Sequence, residues 1–515
     1  MKNASRMLAL GCLLAACPPA AAQDGGADQP SRGWIAAGGD IADSHAGHGE
    51  IILNRFDVPY LRQRWAVSTS GSVSATPAVI GRDLYVPDDS GSLYRIDTLT
   101  GRVVWQKKIS DYSGVGTSYS RTTPAISGHV LVIGDRTQAV LFAIDRFSGA
   151  LLWRRQLDTA PGAIITGSAV IAGGRVYAGV SSNQESLATN LGFTVNFRGQ
   201  VAALDLTTGA LIWQFRTVPE GYTGGAVWSS GPAVDPRRGT LYVSVGNNYT
   251  VPQSVEACQL GASTPEQQQA CASPDDHFDS VLALDLSTGR LKWSRTLLGE
   301  DAWTVSCLTN APVGTPCPKP TGPDYDFGAG PNLYAVRRGG RRVDLVGAGQ
   351  KSGVYWSLDP DDGHTVWASQ FSPGGSLGGT LWGAAADGAR VYTESGNYAH
   401  TQTVLSPSGQ TATGGFWSAL DARTGAIVWQ TPAIGQDPEA PTEAAPAPGS
   451  VSVANGVMYG EDYGGYLAAL DARDGAVLWR FQAGGSPVAG PAILDGSLYW
   501  GTPTRLYAFS PAGRL

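Results

Sequence analysis

The chain has little charge. Only 15% of its 515 residues are Asp, Glu, Lys or Arg, which argues against long solvated helices and against disorder. The net charge is −7 with scattered basic residues, so no basic footprint exists for a nucleic-acid backbone or an anionic membrane. No stretch approaches the ~20 uninterrupted apolar residues of a membrane span. There is no Gly-rich phosphate loop between a strand and a helix and no Gly-x-Ser-x-Gly elbow, which sets aside nucleotide chemistry and acyl transfer. What is abundant is 68 Gly, 15 Trp and 19 Tyr, a composition suited to many short strands joined by tight turns. The expected class is all-β.

Residues 1–22 read as an export signal: Lys2 and Arg6, an apolar run over 7–16, then small residues. Two endings compete. Ala20-Ala21-Ala22 before Gln23 is a cleavage site that frees a soluble periplasmic product, the favoured ending. Leu14-Ala15-Ala16-Cys17 resembles the bacterial lipoprotein box, in which Cys17 would carry a lipid anchor. Beyond the signal lie Cys258, Cys271, Cys307 and Cys317. An even count in an oxidising compartment predicts two disulfides, and short loops favour Cys258–Cys271 and Cys307–Cys317. A zinc site is the weaker reading, because the four lack paired C-x₂₋₄-C spacing.

An Asp-x-x-x-Gly-x-x-x-Trp pattern recurs seven times, from Asp97/Gly101/Trp105 to Asp471/Gly475/Trp479. Each copy predicts a strand, a turn in which Gly supplies positive φ, and a second strand whose Trp packs between neighbouring sheets. An eighth unit is split: Arg64-Trp65 supplies one strand and Leu506-Tyr507-Ala508-Phe509 the other. Chain ends that share a sheet close a ring and remove a free edge. Residues 23–515 are therefore expected to form a single eight-bladed β-propeller. The intervals from Trp213 to Trp293 and from Trp293 to Trp367 are the longest, and there the inserted loops carry the cysteines. Residues 436–448, rich in Pro, Ala and Glu, are expected to be mobile.

A propeller gathers equivalent strand ends at its hub. Those ends read Gly179-Val180-Ser181-Ser182-Asn183-Gln184-Glu185, Gly246-Asn247-Asn248, Gly349-Gln350-Lys351 and Gly396-Asn397-Tyr398. Glu185, Asn247 and a third carboxylate would make a cage for a hard cation; the plainer alternative is that they cap strand ends. In Asp324-Tyr325-Asp326-Phe327, a carboxylate beside a metal could act as a general base, or simply cap a turn. Trp228 and Trp382 lie outside the repeat and could sandwich a planar ligand or be ordinary core. His45 and His48 look like a metal pair, but two ligands are too few.

Together these residues resemble the quinoprotein alcohol dehydrogenases, especially the polyvinyl alcohol dehydrogenase-like branch. The resemblance runs from Trp34 and Gly38-Gly39-Asp40 to the last strand, and is most specific at residues 224–228, 245–249, 274–280, 301–303, 324–333 and 349–353. It implies that Glu185, Asn247 and Asp326 bind Ca²⁺, with Asp326 as the base. It also implies that pyrroloquinoline quinone (PQQ) lies on Trp228, with Lys351 at the quinone oxygens, Arg121 and Thr166 on its carboxylates, and Trp382 and Asn397 completing the pocket.

Three departures matter. No adjacent cysteines occur around Tyr119-Ser120-Arg121, where many relatives carry a disulfide. No C-x-x-C-H occurs, so an external acceptor such as a cytochrome c is required to take electrons from the alcohol substrate. If Asp324 were the base, Asp326 two residues on would resemble the lanthanide-dependent members; Ca²⁺ with Asp326 is favoured. The rival function is a non-catalytic scaffold like the lipoprotein that helps assemble outer-membrane proteins, which gives no reason for Glu185, Asn247, Asp326 and Lys351 to occur together. Sugar-oxidising quinoproteins are usually six-bladed.

Overall fold

The computed structural model describes residues 33–512 apart from 229, 309, 316 and 487. The export signal, both of its cleavage points and Cys17 lie outside the described residues. The seven complete repeats and the split one each form an antiparallel sheet of at least four strands, which gives eight blades. Leu61–Ser68 pairs with Arg505–Pro511, so the two ends of the described chain share the last blade.

The repeat explains how the ring holds together. Each outer-strand Trp reaches into the hairpin turn of the following blade. Trp65 Nε1 donates to Thr98 O at 2.9 Å, Trp213 to Leu286 O at 3.0 Å and Trp367 to Ala422 O at 3.1 Å. Except at Gly149, which lies against Lys107, the turn glycine lies against that same indole. A Cβ on Gly289 would meet the Trp213 ring at 2.5 Å, and one on Gly425 the Trp367 ring at 2.5 Å, while φ at the two is +69° and +75°. These positions need glycine both for the left-handed turn and for the room it leaves.

Trp479 departs from the pattern. It faces the blade made from both chain ends, which has no such turn, and it packs instead on Phe509 and Phe481 with ring centroids 5.1 and 6.2 Å away.

Cys258–Cys271 and Cys307–Cys317 are bonded as expected. The first links the helices Gln253–Gly261 and Pro265–Cys271 within the long insertion of the fourth blade. Residues 436–448 contradict the expectation of mobility: Asp437 N bonds Glu443 O, Ala445 N bonds Gly435 O, and Ala445 and Ala447 are fully buried. Composition suggested a loose loop; residues 438, 439, 441 and 442 are indeed exposed, but 445–448 are buried and Ala447 packs in the core with Tyr392 and Trp417.

Gly425→Ala should cost about 1–3 kcal/mol, because it combines backbone strain with a clash against Trp367. Urea denaturation followed by tryptophan fluorescence would show this as a lower midpoint; an unchanged midpoint would contradict the account of the interlock.

Candidate active site at the propeller hub

Glu185 sits in the short helix Gln184–Leu187, directly after the strand Arg175–Ser182. Its neighbour Gln184 fixes that turn. Gln184 Oε1 accepts from Asn196 N and Phe197 N at 2.7 and 2.8 Å, and Nε2 donates to Pro161 O at 2.7 Å. Asn247 follows the strand Thr240–Ser244, and its Nδ2 donates to Asn248 O and Trp303 O at 3.0 and 2.9 Å. That orientation leaves the amide oxygen for a ligand.

Asp326 is the centre of the cluster. Oδ1 accepts from Asn247 N at 2.7 Å, and Oδ2 accepts from Trp228 Nε1 at 2.9 Å and from Lys351 Nζ at 3.3 Å. Gly246 makes this approach possible, since a Cβ there would lie 3.1 Å from Trp228 Nε1 and 3.2 Å from the Asp326 carboxyl. Lys351 is buried, donates to Asp324 Oδ1 at 2.8 Å, and lies 5.4 Å from the centre of the Trp228 ring. Trp382 meets Trp228 edge-on at 5.5 Å, and Arg121 stacks on Trp382 at 4.5 Å.

One cavity of about 370 Å³ unites these groups: Glu185, Asn247, Asp326, Lys351, Trp228, Trp382, Arg121 and Thr166 all line it. Asn397 does not. Its amide is spent on the backbone of its own loop, donating to Gly414 O at 2.8 Å and Thr401 O at 3.0 Å and accepting from Thr401 N at 3.1 Å. The next residue, Tyr398, lines the cavity instead. Asp324 is buried but bound to Lys351, and it is not part of the cavity wall. His45 and His48 do not converge on a metal: His45 is buried beside Asp43, while His48 is largely exposed beside Asp40.

Sequence reasoning missed Arg136, which faces the cavity close to Arg121. Its signal was present, since Gly134-Asp135-Arg136 is the strand end of the second blade. Also missed was the shell of acids behind Asp326. Asp301 holds the Asp324–Asp326 loop by accepting from Asp324 N at 3.0 Å and Tyr325 N at 2.6 Å. Asp279 is fully buried, and neither of its oxygens has a donor among the described residues.

Burial and mutual repulsion leave this cluster short of positive charge. Burial, then the charge of Asp326, push Glu185 up to about 8, and burial pushes Asp276 up to about 7. Burial, then Asp301 and Asp326, push Asp279 well above the carboxylate range. Burial disfavours the Lys351 ammonium, but Asp324, Asp326 and Glu185 outweigh it and hold its pKa above that of an ordinary lysine. Burial and Arg136 both disfavour charge on Arg121, a cost that an anionic ligand between the two would offset.

The comparisons place this propeller among the quinone-dependent dehydrogenases. A family model described as the β-propeller domain of glucose/ethanol/alcohol dehydrogenases matches residues 162–315. One described as outer membrane protein assembly factor BamB matches 61–196 and 350–515. The polyvinylalcohol dehydrogenase of Sphingopyxis sp. (strain 113P3) is 32% identical over 402 residues, covering 73% of this chain and 55% of that protein. Among solved structures, a europium-containing methanol dehydrogenase superposes with a TM-score of 0.69 at 17% identity, covering 93% of this chain and 98% of that one. BamB from Moraxella catarrhalis gives a TM-score of 0.53 at 16% identity, covering 87% and 99%.

The chain belongs to the PQQ-dependent alcohol dehydrogenase family. It spans about half the length of the curated relatives it matches. Family membership implies PQQ and a metal ion, and no helix among the described residues is long and apolar enough to cross a membrane.

The raised Glu185 gives a linkage prediction for the metal-free protein. The folded state holds a proton that the unfolded chain gives up, so this contribution to stability is lost as pH rises from about 4.5 toward about 8. Thermal melts should show Ca²⁺ raising Tm more at pH 8 than at pH 5, and Glu185→Gln should flatten that difference. Equal Ca²⁺ shifts at both pH values would contradict it.

Proposed function

We propose that this chain is an exported, periplasmic quinoprotein. On this reading it binds PQQ and Ca²⁺ and oxidises a secondary or polymeric alcohol, passing electrons singly to an external acceptor such as a cytochrome c. The observation that carries the proposal is the convergence of Glu185, Asn247, Asp326 and Lys351, from separate blades and loops, on one cavity walled by Trp228.

The residues fit the groups they would hold. Glu185 Oε1 is buried without a hydrogen-bond donor among the described residues, and Glu185, Asn247 and Asp326 together offer the hard oxygens a Ca²⁺ ion takes. Arg121 and Arg136 supply positive charge for the cofactor's carboxylates, Thr166 a hydroxyl and Trp228 a flat face. The Asp324 carboxylate is taken up by Lys351 and Asp326 is the one that lines the cavity, which supports Asp326 over Asp324 as the base and with it Ca²⁺ over a lanthanide.

When bound, the quinone and its metal supply the acceptor for the alcohol's hydride. Asp326 is the general base for the hydroxyl proton, and its bonds from Trp228, Lys351 and Asn247 N fix its orientation before substrate arrives. Lys351 places a positive charge beside the reacting oxygens. Leu377, which is 51% exposed, lines the cavity with Tyr398 and Tyr463 and offers apolar contact to a carbon chain. The printed name of the Sphingopyxis relative supports a polymeric substrate.

The scaffold reading is weaker. The BamB-described model skips residues 197–349, the stretch that holds Trp228, Asn247 and Asp326.

Purified protein mixed with PQQ and CaCl₂ should retain quinone absorbance through gel filtration and reduce a redox dye with secondary alcohols. Asp326→Asn should keep the absorbance and lose about 10²- to 10⁴-fold in turnover. Failure to retain quinone would sink the proposal, and full activity in the Asn variant would remove Asp326 as the base.

A further inference from the structure

Arg121, Thr166, Trp228 and Trp382 line a second hub cavity as well as the first. This one is about 40 Å³, and hydroxyl side chains from separate blades face it: Thr76, Thr123, Ser168, Ser230 and Ser450. About 10–15 Å³ of such space holds one water, so a short file of waters fits between these hydroxyls.

His45 also lines this cavity. It is 1% exposed, and neither ring nitrogen has a hydrogen-bond partner among the described residues. Asp43 Oδ1 lies 3.6 Å from Nε2. A buried imidazole with both nitrogens free is costly unless water completes its bonding. Asp43 and His45 both hold left-handed backbone, with φ of 51° and 50°, strain that persists only where the surroundings enforce it.

The same stretch of chain continues to the surface. Ser44 Oγ donates to Asp40 Oδ2 at 2.7 Å and lies 3.2 Å from His48 Nε2, which is 3.4 Å from Asp40 Oδ2. The His48 side chain is 67% exposed. The charged groups facing the route are Asp40, Asp387 and Arg121. Tyr355 is the neighbouring phenol, and its hydroxyl is engaged with Asn332 Oδ1 at 2.9 Å.

We propose that residues 40–48 form a proton exit from the cofactor site: water in the hydroxyl-lined cavity carries protons to His45 and Asp43, and a further water hands them on to the hydrogen-bonded group of Asp40, Ser44 and His48 at the surface. The proposal rests on the dehydrogenase reading above. Oxidation of a secondary alcohol to a ketone releases two protons and two electrons. The electrons leave to two one-electron acceptors, and residues 40–48 give the protons a path that stays open while the alcohol fills the main cavity around Asp326.

The test uses the loaded enzyme and two readouts. A high-resolution crystal structure should show ordered waters joining His45 to Thr76 or Thr123; a dry cavity overturns the proposal. In stopped-flow experiments with a pH-indicator dye, a one-electron acceptor is mixed with enzyme and alcohol in weak buffer. Wild-type protein should release protons in step with acceptor reduction. His45→Gln should delay proton release by about an order of magnitude or more, with quinone affinity unchanged. If that variant does not fold, Thr76→Val, which keeps the shape and removes the hydroxyl, should show the same delay. Prompt proton release in whichever variant folds overturns the proton exit while leaving the dehydrogenase intact. A wild-type protein that neither reduces acceptor nor releases protons defeats the dehydrogenase reading, and the exit with it.

Discussion

The contact between a blade's tryptophan and the next blade's turn is the interaction on which everything else depends. Taken singly it is modest: one hydrogen bond of about 1 kcal/mol net and the burial of a large ring against a glycine. Repeated around the ring, it fixes the angle between sheets, and that angle decides which strand ends meet at the hub. Glu185 and Lys351 are far apart in sequence and belong to different blades. They share a cavity because the indoles of Trp153, Trp213 and Trp293 set the intervening blades in place, each through a bond to the next blade's turn.

The hub is loaded with negative charge. Asp324, Asp326 and Glu185 surround the buried Lys351, with Asp279 and Asp301 behind them, and burial and mutual repulsion push Glu185, Asp279 and Asp324 above the ordinary carboxylate range. Such a cluster is unfavourable in isolation. A bound metal cation would relieve it, which would make the metal as much a part of the folded hub as of its chemistry.

The architecture was legible in the sequence because it is periodic. Asp, Gly and Trp recur at fixed spacing, and each has a separate physical task. The short cysteine loops were legible for a similarly local reason. The site was legible only where a strand-end motif and a resemblance coincided. Gly396-Asn397 reads like Gly246-Asn247, yet Asn397 takes a φ of 41° and turns its amide into its own loop, a difference that side-chain chemistry alone does not reveal. Arg136 was passed over because its strand end, unlike those of the neighbouring blades, was not considered. Asp279 and Asp301 fall in stretches that the resemblance singled out, 274–280 and 301–303, but no periodicity there pointed to a role behind Asp326. Residues 436–448 show the limit of composition: the Ala and Pro of 445–448 are buried, while Pro438 and Pro441 are exposed.

The closing blade has a consequence for biogenesis. Because Leu61–Ser68 waits for Arg505–Pro511, the ring cannot close until that last strand has been made, and the hub is not enclosed before then. Such long-range pairing is slow to form. A chain threaded across a membrane unfolded would complete its circle only on the far side, so quinone and metal would have to be captured there, by a finished vessel and not by a growing one.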